Sequence, residues 1–401
     1  MRHIALLKNP IQKYAWGSRT AIPELCGEVP NGDPQAELWM GAHPKAPSAA
    51  NIDGNWVPLP KLIEKDPEAL LGKRSAEVFH NQLPFLFKVL AAEMPLSIQA
   101  HPDAEQSKKG FSRESAAGIP LASETRNYRD GNHKPECICA LTPFWVLNGF
   151  RAVDDIRFYI ENLCPNELAG ELAALSDLRN PQSLKQFFKA LMMKPKDKVC
   201  LILEEALEAA KRQGGDDPVY SWIIRLLGTY PMDIGALAPA LLNLIVLRPG
   251  EALYLSSGRL HAYLDGVGME LMANSDNVLR GGLTPKHIDV PELMKVLRFE
   301  ETRPEILRPV QEAPGIRRYH TPAEEFALSE ITVDGLLRFK NRENAGAEIL
   351  FCLEGTSKAS EDFVASELTL SKGMSIFVPA SVKEYSLGGK AVFYMASMGG
   401  I

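Results

Sequence analysis

Between residues 151 and 240 the hydrophobic period of this chain is that of a helix, and on both sides of that block it is that of a strand. Ile156, Ile160 and Leu163 recur at i, i+4 and i+7. The run VCLILEEALEAAKRQ (Val199–Gln213) is dense in helix formers and stops at Gly214–Gly215, and SWIIRLL (Ser221–Leu227) continues the helical tone. Before the block, short apolar runs such as Phe85–Leu90 and Phe144–Leu147 are punctuated by Pro and Gly. After Leu241 the strand pattern returns with NLIVLRPGEALYL, then Glu348–Leu353, Leu368–Leu370, Ser375–Val378 and Ala391–Ala396. The expectation is a mainly β protein with an α-helical insertion at 151–240. Residues 1–150 and 241–303 would form one discontinuous β domain, and 304–401 a second.

An internal echo supports two related β units. Leu247–Ser256 (LRPGEALYLS) and Leu370–Pro379 (LSKGMSIFVP) share a Leu, a Gly three residues on, and a short alternating strand. His261 stands eleven residues after Gly250. Eleven after Gly373 stands Glu384, followed by Tyr385. The reading is two related β-barrels, the second without its histidine.

Composition narrows the function classes. At 401 residues the chain is long enough for several domains and a large core. A net charge of −6 argues against a nucleic-acid partner, which normally meets a basic face. No apolar run is long enough for a membrane helix. The six cysteines, Cys26, Cys137, Cys139, Cys164, Cys200 and Cys352, form no CxxC pair, which reads as reduced thiols in a cytoplasmic protein.

Chemistry concentrates at SIQAHPD (Ser97–Asp103). In a strand, residues i and i+2 share a face, so Ser97, Gln99 and His101 project together while Ile98 and Ala100 face away. If Gly131–Lys134 is a turn, the next strand opens on Glu136, and His261 follows Gly258 at the start of another. An amide oxygen, two imidazoles and one carboxylate suit a divalent cation of borderline hardness, above all Zn²⁺. With Glu136 as the lone anion the site keeps net positive charge, which favours polarising a bound oxygen. Packing and polar coincidence are the alternative for each of these residues. Arg280, beside Gly281–Gly282, and Lys286 suit an anion or a developing oxyanion, or else are solvated loop cations. Lys88 in FLFKVL needs an anion or a route to water.

Six stretches together resemble the type I mannose-6-phosphate isomerase family: NPIQKYAWGS (Asn9–Ser18), AELWMGAHP (Ala36–Pro44), LPFLFKVL (Leu83–Leu90), PLSIQAHPD (Pro95–Asp103), NHKPE (Asn132–Glu136) and the run His261–His287. They occur in the family's order over the first 290 residues; the last hundred are less distinctive. The resemblance implies two cupin-type jelly-roll barrels plus a helical domain. In the second cupin motif, Gly250, Gly258 and His261 fit while Ser256 and Asp265 replace the proline and asparagine. In the C-terminal barrel Gly373 and Pro379 fit, but Ser381 and Glu384 replace the glycine and histidine.

The resemblance further implies one Zn²⁺ per chain on Gln99, His101, Glu136 and His261, with Arg280 as active-site arginine. Lys134 and Asp276 would line the cleft. Lys88, Ser97 and Lys286 would contact a sugar phosphate, and Trp16, Tyr263, Glu270 and His133 would serve as walls or proton handlers. The implied reaction interconverts D-mannose 6-phosphate and D-fructose 6-phosphate through an enediol. Candidate bases are Lys134, His133, Asp276, Glu270 and a zinc-bound water, and the sequence does not choose among them. A small-molecule sugar phosphate is the expected partner, with neither nucleic acid nor membrane, and a monomer is expected. Two rivals stand beside this reading: a non-catalytic sugar-phosphate-binding cupin, and a cupin metal oxygenase, against which Gln99 argues.

Overall fold

A computed structural model of the chain describes residues 2–175, 181–340, 346–362 and 367–399. It is mainly β, with twelve α-helices among the described residues. The strands gather into two large sheets. One runs in the order Ile306–Leu307, Ala252–Leu255, Glu136–Ala140, His261–Ala273, Phe85–Ala92, Glu37–Gly41, Ile11–Gln12, with Ile98–Ala100, Phe144–Phe150, Leu242–Leu247 and Leu279–Gly282 branching from it.

The long strand His261–Ala273 organises this sheet. Its first residues pair with Gln99 and with Phe144–Phe150; its remainder pairs with Phe85–Ala92 on one side and Glu136–Ala140 on the other. The handover falls at Gly266, φ 126°. A Cβ there would lie 2.7 Å from the Pro143 carbonyl oxygen, so only glycine allows the neighbouring backbone so close.

The second sheet is built on the long antiparallel strands Ala327–Lys340, Glu384–Ser397 and Glu348–Glu361. Strands from the chain's beginning complete it: Ala5–Lys8 pairs with Ser375–Val378, and Ala49–Ile52 and Asn55–Pro58 extend the same edge. Both ends of the chain therefore share one sheet.

The period-2 pleat decides what each face does. On Phe85–Ala92, the residues Phe85, Phe87, Val89 and Ala91 join Cys137, Cys139, Met269 and Leu271 in one apolar layer. That layer packs on Phe351, Phe377 and Tyr394 of the second sheet and on Phe326 just before its strand Ala327–Lys340. The opposite face presents Lys88 and Glu270, which are cross-strand partners, and Glu136, which stands opposite Met272 two residues further along the same strand as Glu270. That face is mixed: the same strands also bury Leu86, Leu90, Ile138 and Met272 there, beside the charged residues.

Helices fill the block after Phe150. Val153–Leu163 buries Val153, Ile156, Ile160 and Leu163; Lys196–Gln213 is capped by Gly214; Pro218–Thr229 covers the SWIIRLL run. They share a core with Ile98, Ala100, Leu279 and Leu283, the back of the strands that lead into the site. The early region is less purely β than its sequence suggests: Leu59–Lys65, Pro67–Leu71, Lys73–Val78 and Ala104–Ala116 are helical. The last begins in a capping box, where the Asp103 side chain accepts from the Gln106 backbone and the Gln106 side chain accepts from Asp103 N–H.

Phe87 is fully buried between the two sheets. Phe87→Ala should destabilise the fold by about 3–5 kcal/mol, because the cavity it leaves is walled by paired strands that cannot collapse. Denaturant unfolding of the zinc-free protein measures this.

Candidate metal centre and ligand cleft

His101, Glu136 and His261 arrive on different segments and converge. Their ligand atoms all lie within 4.8 Å of one another, and this is the one such His/Cys/Asp/Glu cluster among the described residues. They are 1%, 3% and 4% exposed, so whatever balances their charge must come from inside. Pleating aims them. Ile98 and Ala100 are buried in the helical core, which turns Gln99 and His101 the other way. His261 stands opposite Gln99, and Arg280 opposite Gln99 from the other side.

The proton positions test whether these residues fit a metal. His101 Nδ1 lies 2.7 Å from the Asn277 carbonyl and His261 Nδ1 3.2 Å from the Arg259 carbonyl. A carbonyl only accepts, so each Nδ1 donates, and in the neutral form of each ring the Nε2 offers its lone pair inward. Those Nε2 atoms sit 3.3 Å and 3.4 Å from the two oxygens of Glu136. The His101 Nε2 is buried with no hydrogen bond of acceptable geometry. Lone pairs facing a carboxylate at these distances call for a cation between them.

The surroundings keep the donors in ligand form. Burial, reinforced by the Lys134 ammonium, pushes His101 down to about 4, so it is neutral at physiological pH. Burial alone would raise Glu136, but Lys134 and His101 overcome it and hold the carboxyl well below its ordinary value. Lys134 Nζ is 2.9 Å from Glu136 Oε1.

Two connected cavities open from this cluster. The inner one, about 60 Å³, is lined by Lys88, Ser97, Gln99, Lys134, Glu136, His261, Tyr263 and Glu270, among others. The outer one, about 360 Å³, is lined by Tyr14, Trp16, Tyr230, Arg280, Thr284 and Lys286, among others. Glu37, Leu96, Ser97 and Gln99 line both and form the passage. Arg280 is more than half buried, and burial together with nearby Arg129 lowers its pKa, a like-charge arrangement that favours an anionic visitor.

Several residues stand elsewhere than the sequence suggested. Lys88 lies in the inner cavity, away from Lys286, with Nζ 2.6 Å from Glu270 and 3.7 Å from Glu37. Burial opposes its charge, but the two carboxylates prevail and keep it protonated. Its cation is thus already matched. His133 is not brought to either cavity; its Nε2 pairs with Glu325. Asp276 lines neither cavity: it is bound to Lys45 at 2.8 Å and approaches His43 at 3.6 Å. Burial would raise Asp276, but these two partners depress it well below the carboxylate range.

The sequence pattern did not single out Glu37, which accepts from Trp39 Nε1 at 2.7 Å and faces both cavities. A signal existed, since Glu37 and Trp39 alternate in AELWMG as Gln99 and His101 do in SIQAHP. Tyr14 was also missed; its ring stacks on Trp16 with centroids 5.7 Å apart at the cleft wall.

Fold and site define a class: a β-sheet metalloprotein whose cleft is charged for an anionic small molecule. Residues 4–153 match the family described as phosphomannose isomerase type I, catalytic domain, and residues 315–397 the mannose-6-phosphate isomerase cupin domain. The chain is 42% identical over 390 residues to the mannose-6-phosphate isomerase of Salmonella typhimurium, covering 96% of each chain. It is 34% identical over 406 residues to the human enzyme, covering 94% of this chain and 93% of that one. A crystal structure of the Salmonella typhimurium isomerase bound to its substrate, fructose 6-phosphate, and to zinc superposes with a TM-score of 0.91 at 38% identity, covering 99% of this chain and 100% of that one. A zinc-bound holo mannose 6-phosphate isomerase superposes at 0.89. The chain belongs to the type I phosphomannose isomerase family.

Glu136→Gln should keep the shape of the cluster while removing its anion. Zinc affinity, measured by competition with a chelating indicator, should fall by roughly a hundredfold or more; unchanged affinity would exclude Glu136 as a ligand.

Proposed function

We propose that the chain is a zinc-dependent aldose–ketose isomerase that interconverts D-mannose 6-phosphate and D-fructose 6-phosphate. The observation behind it is the pair of bare imidazole nitrogens facing Glu136 at the floor of a cleft whose outer wall holds Arg280 and Lys286. Family membership and the relative bound to zinc and fructose 6-phosphate support the same reaction.

Gln99, His101, Glu136 and His261 would hold the zinc. When bound, the metal supplies a positive centre that stabilises charge on the O1/O2 edge of the opened sugar. The remaining work belongs to the chain. Ser97 and Lys286 would take the phosphate in the outer cavity, which leaves C1 and C2 directed towards the inner one. Arg280 stands beside Gln99 and would share charge developing at the carbonyl end. The reaction removes the C2 proton and returns one to C1. Among the candidate bases, Lys134 Nζ and the Glu270 carboxylate face the inner cavity; burial raises Glu270 against the pull of Lys88. His133 and Asp276 line neither cavity, so Lys134 and Glu270 are the side chains among these candidates placed to move a proton there, beside a zinc-bound water. Lys88 would hold Glu270 and Glu37 in place, while Trp16 and Tyr263 wall the substrate.

The same reading includes two cupin-type barrels, with residues 1–150 and 241–303 as catalytic domain, 151–240 as helical insertion and 304–401 as degenerate barrel. The apolar filling around Val333, Leu350, Ile376 and Phe393 supports the last assignment. Tyr385 there donates to Glu348 at 2.7 Å. A monomeric cytoplasmic enzyme completes the proposal. Among the described residues no helix is long and apolar enough to cross a membrane, and all six cysteines are free.

In a coupled assay with mannose 6-phosphate, chelation should abolish turnover and added zinc should restore it; full activity without metal would sink the proposal. Arg280→Ala should lower kcat by about a hundredfold, the loss typical of one preorganised donor at a developing charge, and an unchanged kcat would remove it from the chemistry.

A further inference from the structure

The helical segment reaches the cleft through one short turn, Tyr230–Gly235. Its side chains touch both walls of the outer cavity. Tyr230 lines the cavity and donates its hydroxyl to the Pro95 carbonyl at 2.8 Å, on the wall that continues into Ser97 and Gln99. Asp233 reaches the opposite wall. Its Oδ1 accepts from its own turn, Gly235 N–H, at 2.8 Å, and its Oδ2 accepts from Thr284 N–H at 2.9 Å.

Thr284 in turn governs Lys286. Its Oγ1 accepts from Lys286 N–H at 3.1 Å, so the position of Thr284 sets that of Lys286. The residue before it, Leu283, is buried at φ 54°, a left-handed backbone that a leucine adopts only when its surroundings impose it. Two contacts impose it here: Leu283 packs in the helical core, and Asp233 holds the next N–H. The approach is backbone to backbone. A Cβ on Gly235 would lie 2.9 Å from Leu283 N and 3.0 Å from Gly282 Cα, so the turn and the loop are seated directly on each other.

We propose that Asp233 is a positioning residue for the anion-binding wall of the cleft, and that the turn Tyr230–Gly235 clamps the Thr284–Lys286 wall against the Pro95–Ser97 wall. The helical segment then sets how tightly the enzyme holds the phosphate end of its substrate without touching the reacting carbons. This rests on the isomerase reading above.

Asp233→Asn tests it with almost no change of shape. Whichever way the amide turns, its NH₂ faces either Thr284 N–H or Gly235 N–H, and one of the two hydrogen bonds becomes a donor–donor clash. The KM for mannose 6-phosphate should rise about tenfold with kcat changed by no more than about twofold, as expected for loss of a charge-assisted hydrogen bond that acts on binding alone. The inhibition constant of inorganic phosphate, which probes the handle without the sugar, should weaken by the same factor, while zinc content stays at the wild-type value. A variant that is merely less stable would show a lower melting temperature with KM and the phosphate constant unmoved, and that result overturns the proposal. If Asp233→Asn does not fold, Gly235→Ala, whose methyl group drives the turn and loop apart, is judged by the same two constants. A wild-type chain without isomerase activity would instead overturn the functional reading itself.

Discussion

A carboxylate that is almost wholly out of water has to be neutralised, and the site is arranged around that requirement at Glu136. Its burial in a sheet interior is unfavourable unless cations surround it. Lys134 supplies one at 2.9 Å, and the two imidazoles complete the shell. Burial keeps His101 neutral down to about pH 4, so its imidazole does not supply that charge. A divalent cation satisfies the carboxylate and both bare nitrogens at once. The same electrostatics that set these donors against one another make them a strong cage for a cation.

A second carboxylate pair repeats the logic one rung away. Lys88 lies cross-strand to Glu270 and Trp39, and its ammonium is shared between Glu270 and Glu37. Without that cation, Glu37, Glu136 and Glu270 would be three buried anions facing one small cavity. Lys88 therefore does more for the chamber's charge balance than it could do as a free phosphate contact. The outer cleft, by contrast, keeps Arg280 and Lys286 without a carboxylate partner among the ion pairs of the described residues.

Much of this was legible because it is local. The strand period alone separated Ser97, Gln99 and His101 from Ile98 and Ala100, and the structure places the second pair in an apolar core. Helical spacing with a Gly–Gly stop placed Lys196–Gln213 within three residues of its start. What escaped was nonlocal or conditional. Nothing in Ala5–Lys8 announces that it pairs with Ser375–Val378 across the whole chain, because a four-residue strand takes its partner from tertiary packing. His133 and Asp276 sit beside site residues in sequence, yet Glu325 and Lys45 draw their side chains away, and those partners are distant in the chain. Charge type was readable; which opposite charge would claim it was not.

The second sheet shows why the chamber needs the helices. It has the same glycine turn, Gly373 at φ 85° against Gly250 at φ 82°, followed by the same short strand. Its interior is packed with Val333, Leu350, Ile376, Leu387 and Phe393, apolar where the first sheet is charged. The catalytic sheet gives up that inner packing wherever a strand presents Lys88, Gln99, Glu136 or Glu270. Apolar burial lost there, at roughly 25 cal/mol per Å², has to be recovered on the reverse of the same strands. Ile98, Ala100, Leu260, Ala262, Leu279 and Leu283 recover it against the helical segment, and Phe85, Phe87, Cys137 and Leu271 recover it against the second sheet. The helices are therefore the other half of a strand that has given one face to chemistry, and their position behind Gln99 and Arg280 follows from that need.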